Sequence, residues 1–168
     1  MRTVTLAALA AAAVTAAMLP RAARAQDEIG IAVGARAPGA AVQTLDGKAA
    51  NLSQYIGKTP VVLEFWATWC SNCKELEPQF LSLAKRYTGR IAFVDIAVSV
   101  NQSPERVKRY VEKYQYTHHV VYDANGDAVT AYNVPATSYV VVIDKAGKVV
   151  YTGLGGDQNL GAAISRVL

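Results

Sequence analysis

Cys70 and Cys73 are the only cysteines of this 168-residue chain, and they stand three residues apart directly after a long apolar run. Pro60 to Trp66 is apolar except for Glu64. Such a run reads as a strand buried on both faces of a sheet. Behind it, Leu76, Phe80, Leu83 and Tyr87 recur at helical spacing, and Gly89 follows as a stop. A buried strand that enters a helix through a Cys-x-x-Cys loop constrains the fold more than any other feature here. It places the first cysteine at a helix N-terminus, where unpaired N–H groups and the helix dipole favour a thiolate.

On these grounds Cys70 is the expected exposed nucleophile, and Cys73, one turn further in, the shielded thiol that resolves a mixed disulfide. A bond between them closes too small a loop to restrain the unfolded chain much, so the pair suits redox work better than stapling. Half of a zinc site is the competing reading. Zinc needs further ligands, and the only candidates are His118 and His119. Neighbours on a strand point to opposite faces, so at most one of them could reach the cysteines. The simpler reading of both is as ordinary strand-edge residues.

The rest of the chain supplies alternating elements. Val42 to Leu45 followed by Asp46-Gly47-Lys48 reads as a strand entering a tight turn. Ile91 to Val100 is a second buried strand containing Asp95. Ser103-Pro104-Glu105 starts a helix with the apolar face Val107, Tyr110, Val111 and Tyr114. Val120 to Tyr122 is a short strand, and Ala128 to Tyr132 a short helical piece. Ser138 to Asp144 and Lys148 to Thr152 form a hairpin through Lys145-Ala146-Gly147, and Leu160, Ala163, Ile164 and Val167 mark a last helix. The order implies an α/β domain with a mixed sheet. Apolar residues make up 52% of the chain, enough for a core without staples.

Residues 1–25 read as an export signal. Arg2 precedes an uncharged, alanine-rich run from Val4 to Leu19, and Ala23 and Ala25 give a small-x-small cleavage pattern before Gln26. The alternative is an uncleaved N-terminal anchor. There is no Arg-Arg pair for a twin-arginine route. The mature chain is then 26–168, soluble and periplasmic or otherwise extracytoplasmic. The net charge of +4 belongs mostly to this segment: without Arg2, Arg21 and Arg24, 14 basic residues face 13 acidic ones. A near-neutral body offers nothing to a nucleic acid. Both methionines, Met1 and Met18, also lie in the signal, so the mature chain has no thioether for Cu(I).

The run Phe65-Trp66-Ala67-Thr68-Trp69-Cys70-x-x-Cys73 strongly resembles the thioredoxin superfamily, most of all the exported TlpA/ResA-type thiol-disulfide oxidoreductases. Pro78 in the following helix matches that group, and so does the N-terminal hairpin signature Ala37-Pro38, Leu45-Asp46-Gly47-Lys48 and Leu52. Val134-Pro135-Ala136-Thr137, reached from Tyr122 to Asp127 and Tyr132, resembles the cis-proline loop that faces the cysteines. The resemblance implies a thioredoxin-like fold with an N-terminal β-hairpin and a central helix-strand insertion at about residues 101–122. It also implies a cis bond at Pro135, which leaves the Val134 backbone free to pair with an extended substrate segment.

Further roles follow from the same resemblance. Glu64, six residues before Cys70, matches the buried acid that serves as proton relay in thioredoxin, where many TlpA-type proteins carry an amide. Burial raises a carboxyl pKa and suits it to that work. Leu76 departs from the glutamate that close relatives often carry there. Ser71-Asn72 matches neither thioredoxin nor DsbA between the cysteines. Trp69 is expected to cover the disulfide as an apolar platform, and Trp66 to be core. No cofactor beyond the redox-active disulfide is implied.

The implied partners are disulfide-bearing exported proteins, such as apocytochrome c or copper-site proteins, and a membrane thiol-electron donor of the DsbD/CcdA type. The implied activity is that of a dithiol reductase acting as a monomer. The alternatives are a disulfide oxidant and a copper carrier. A peroxiredoxin lacks its proline and threonine spacing here. Gly153-Leu154-Gly155-Gly156 lacks the Walker lysine and reads as a flexible joint. Asn51 and Asn101 fit a glycosylation pattern by chance, since the family looks bacterial.

Overall fold

A computed structural model describes residues 30–168; the expected export signal lies outside the described residues. Among the described residues one seven-stranded sheet runs in the order β2-β1-β5-β4-β3-β6-β7. The strands are β1 (Ala41–Thr44), β2 (Ala49–Asn51), β3 (Val61–Trp66), β4 (Ala92–Val98), β5 (His119–Asp123), β6 (Tyr139–Ile143) and β7 (Val149–Leu154). The helices are α1 (Ser71–Arg86), α2 (Pro104–Lys113), α3 (Asp127–Ala131) and α4 (Leu160–Ile164). Strands β3, β4 and β5 are parallel, and β6, β7 and the β1–β2 hairpin add antiparallel edges. The expected mixed α/β sheet is therefore present, with the expected N-terminal hairpin on one edge.

Strand β3 sits between β4 and β6, and all six of its residues are buried. Leu63 and Phe65 point into one core with Ile96, Val141 and Tyr139, while Val62 points into the other with Leu76, Phe80 and Phe93. Burying each such side chain stabilises the fold by about 1.5–3 kcal/mol. Period-two alternation puts Glu64 on the Val62 face, beneath α1.

Local signals place the remaining elements. Ser103 caps α2 by accepting the Arg106 N–H at 3.3 Å, and Pro104 occupies its first turn. Val107 is buried from that helix, whereas Tyr114 of the expected apolar face stands exposed past its end. The Asp46-Gly47 turn has Gly47 at φ 78°, and Lys108 of α2 bonds Asp46 at 2.6 Å, which ties the hairpin to the helix. Residues 101–122 comprise α2 and most of β5. No helix among the described residues is long and apolar enough to cross a membrane.

Candidate active site

The chain leaves β3 at Trp66 and turns through Ala67, Thr68 and Trp69 into α1, whose N-cap is Cys70. The Cys70 Sγ accepts the Cys73 N–H at 3.1 Å, so the sulfur takes the capping position usually filled by an oxygen. Cys70 and Cys73 form a disulfide across one turn, with Cα atoms 5.3 Å apart. In this oxidised state the two are equally covered, at 5% and 4% exposure. The sequence led us to expect an exposed Cys70. Its sulfur sits instead on the helix N-terminus, and Trp66, Ala67, Val107 and Tyr122 pack around the pair and cover it.

Gln102 holds the loop, and the sequence did not single it out. Its Oε1 accepts the Thr68 N–H at 2.9 Å, its Nε2 donates to the Val98 carbonyl at 2.6 Å, and its own carbonyl accepts the Tyr122 hydroxyl at 2.8 Å. Trp69 donates its indole N–H to the Val100 carbonyl at 2.8 Å and remains 42% exposed, so it offers an apolar surface beside the first cysteine. Trp66 is core, packed between Tyr110 and Tyr116.

Beneath the disulfide lies a buried acidic cluster. Glu64 of β3 and Asp95 of β4 are register partners. The Asp95 Oδ2 is 2.8 Å from His118 Nε2, and both of those side chains are buried. Glu64, Cys73, Asp95 and Tyr116 line one small cavity of about 10 Å³, the room a single water needs. Burial, with the Asp95 and Glu77 carboxylates beside it, holds Glu64 well above the usual carboxylate range. Burial also raises Asp95, against the opposing pull of His118. The two histidines point opposite ways where the chain enters β5: the His118 side chain is buried against Asp95, while His119 is exposed and packs on Tyr55. Among the described residues no group of three or more His, Cys, Asp or Glu side chains is arranged to hold a metal ion.

The loop before β6 differs from what the resemblance implied. The described residues contain no cis peptide bond, so the Val134–Pro135 bond is trans, and Pro135 is exposed. Val134 does not keep a free backbone: its N–H donates to the Val129 carbonyl at 3.0 Å, which closes the turn after α3. The physical reason is register. Phe65 pairs with Tyr139, so the residue lying against the end of β3 is Ser138, whose N–H donates to the Phe65 carbonyl at 2.8 Å. Ser138 is buried at φ 66°, its hydroxyl on the Gly155 carbonyl at 2.9 Å and its carbonyl on Gln158 Nε2 at 3.0 Å. Pro135 lies three residues upstream of that point. Only its neighbourhood to a proline motif drew attention to this loop, and a serine ahead of a β-branched run carries no signal for a left-handed backbone.

The Gly153–Gly156 stretch is also not a mere flexible joint. A side chain at Gly156 would collide with Glu75 of α1, and one at Gly153 with Tyr151 and Gln158. Gly156 is small because the loop after β7 packs on Glu75 in the N-terminal half of α1, and Gly153, within β7, makes room for the Tyr151 and Gln158 side chains.

The family model for redoxins matches residues 32–165. The thioredoxin-like protein YneN of Bacillus subtilis is 32% identical over 121 residues, covering 71% of this chain and 70% of that protein. The thiol-disulfide oxidoreductase ResA of Geobacillus thermodenitrificans is 32% identical over 123 residues, covering 73% and 70%. Among solved structures, a thiol:disulfide interchange protein of the thioredoxin family from Chlorobium tepidum superposes with a TM-score of 0.68 at 26% identity, over 81% of this chain and 97% of that one. A thiol-disulfide oxidoreductase described as putative from Bacteroides vulgatus superposes with a TM-score of 0.71 at 21% identity, over 82% and 98%.

Proposed function

The chain belongs to the redoxin family and is a thiol-disulfide oxidoreductase of the ResA type in the thioredoxin superfamily, and from that premise we propose that it reduces disulfides in exported proteins. The observation that carries the chemistry is the seat of Cys70 Sγ on the Cys73 N–H at the start of α1. A helix N-terminus stabilises a thiolate at that atom once the pair is reduced.

The reduced Cys70 thiolate attacks a substrate disulfide. A Cys70–substrate bond forms as the substrate S–S bond breaks, and the distal substrate sulfur leaves as a thiolate that takes up a proton. Cys73 then gives its proton to Glu64, directly or across the cavity they share, and attacks Cys70 Sγ. The second substrate sulfur leaves, two electrons have passed to the substrate, and the Cys70–Cys73 bond is restored. A membrane thiol-electron donor of the DsbD/CcdA type returns those electrons.

Residues 1–25 direct export, by cleavage before Gln26, and the mature protein works as a periplasmic or otherwise extracytoplasmic monomer. Its clients are cysteine-bearing proteins such as apocytochrome c. Trp69, with Val134 and Pro135 in the loop before β6, forms the surface on which an extended client segment docks.

The experiment is the reduction potential of the Cys70–Cys73 pair, equilibrated against glutathione and read by mass shift after thiol labelling. A value near the roughly −270 mV of thioredoxin is expected of a reductant. A value near the roughly −120 mV of DsbA would overturn the reductase direction and make the protein an oxidant.

A further inference from the structure

Glu64 does not stand alone beneath the cysteines. Asp95 faces it from the neighbouring strand, and His118, from the segment leading into β5, closes on Asp95. We propose that Asp95 and His118 are positioning residues of the exchange reaction: as a hydrogen-bonded pair they hold a buried carboxylate against Glu64 and so set the pH at which Glu64 passes a proton to or from Cys73. This rests on the reading of Cys73 as the resolving thiol.

The geometry has three parts. Glu64, Asp95 and Cys73 line the same cavity. The pair is insulated, since the Asp95 and His118 side chains are each only 4% exposed, and Phe80 and Tyr116 cover the imidazole. In such a medium a carboxylate's charge is felt strongly by a neighbour a strand away. With its proton on Nε2, His118 donates to the Asp95 Oδ2 and favours the ionised carboxylate against the opposing effect of burial.

Other charged groups also face this cluster. From α1, Lys74 and Glu77 reach the cavity, and from α2 the Tyr110 hydroxyl donates to Glu77 at 2.8 Å. Tyr116 stacks on His118 from the segment between α2 and β5. None of these makes a hydrogen bond to Glu64 or Asp95, whereas the imidazole bonds Asp95 directly. Two neighbouring carboxylates in one enclosed site titrate as a unit. An ionised Asp95 delays the loss of the Glu64 proton. That favours Glu64 as donor to Cys73 when the protein's own disulfide is reduced, and it postpones to higher pH the step in which Glu64 must accept.

The test uses the mature, reduced protein and Ellman's reagent. Attack by Cys70 releases one nitrothiobenzoate. The second is released when Cys73 loses its proton to Glu64 and attacks Cys70 Sγ: the Cys70–nitrothiobenzoate bond breaks, the Cys70–Cys73 bond forms and the coloured thiolate leaves. The pH midpoint of this second release is compared in wild type, Asp95→Asn, His118→Phe and His118→Gln. Asp95→Asn should move the midpoint down by about one pH unit, the scale of removing one close like charge. His118→Phe should move it in the same direction, because an unpaired buried Asp95 takes up a proton, and the double variant should move it no further. His118→Gln, whose amide keeps a donor for Asp95, should stay near wild type. Wild-type midpoints in both Asp95→Asn and His118→Phe overturn the proposal. No second release in wild type would instead overturn the assignment of Cys73. Should the variants not fold, carboxyl-carbon NMR of the oxidised wild type decides. Each of the Glu64 and Asp95 signals should show both titration steps, and two independent single-step curves would refute the pairing.

Discussion

Glu64 and Asp95 are paired across adjacent parallel strands, and both carboxyl groups are buried at the centre of the sheet. A purely structural design would place apolar side chains at both positions. Burial raises both groups, and each needs a proton or a partner to be tolerated there.

This has a consequence for stability. A carboxyl whose folded pKa lies above its unfolded value leaves stability intact below the unfolded pKa and lowers it as pH rises towards the folded one. For Glu64 the fall begins near 4.5 and continues well above it. Urea unfolding of the oxidised protein should therefore show stability declining as pH rises from about 4.5. Glu64→Gln should flatten that decline. A variant with the wild-type slope would mean that Glu64 does not carry the raised pKa.

Cys73→Ser should leave the first attack intact and stop resolution, so that Cys70 accumulates as a mixed disulfide with its client. Cys70→Ser should abolish exchange. Non-reducing gels and mass spectrometry of the adduct check both. Turnover by Cys70→Ser at the wild-type rate would remove Cys70 from the nucleophile's place.

Glu64→Gln should also slow the second step more than the first. Loss of a general acid–base group typically costs about 10²-fold or more in the step it serves. Stopped-flow release of the two nitrothiobenzoates from Ellman's reagent separates the steps, and equal slowing of both would argue against a role specific to Cys73.

Gln102 reaches both the loop that presents Cys70 and the end of β4. Gln102→Ala leaves the Thr68 N–H without its partner in a part-buried site. A loss of about 1–3 kcal/mol is expected, the range for an unsatisfied buried donor. Chemical denaturation measures it. The exchange rate should fall as well, because Thr68 lies two residues before Cys70.

What the sequence revealed and what it concealed follow from the same physics. The apolar run of β3 and the caps at Cys70 and Ser103 are local patterns, and the structure carries them at the expected residues. Glu64 was visible because a lone acid interrupts that run. Asp95 and His118 were each visible singly, but their bond links residues 23 apart, and no local pattern reports it. Gln102 was hidden for the same reason, being 34 residues from Thr68. The loop before β6 misled because a proline is conspicuous in sequence, while the strand register that puts Ser138 beside β3 is set by pairing at a distance.

That loop gives a pair of substitutions with opposite expectations. Ser138 holds φ 66° and spends its N–H on the Phe65 carbonyl. Proline can supply neither, since its ring fixes φ near −65° and removes the donor, so Ser138→Pro should destabilise the fold by about 3 kcal/mol. Pro135 is exposed, on a trans bond, and three residues short of the strand end. Pro135→Ala should leave stability within about 0.5 kcal/mol of wild type. If the segment before Ser138 receives an extended client, Pro135→Ala should raise KM for a protein disulfide while sparing the reaction with Ellman's reagent, which is too small to use that surface. An unchanged KM for the protein substrate would move the docking surface away from Pro135 and leave Trp69 as its remaining apolar anchor.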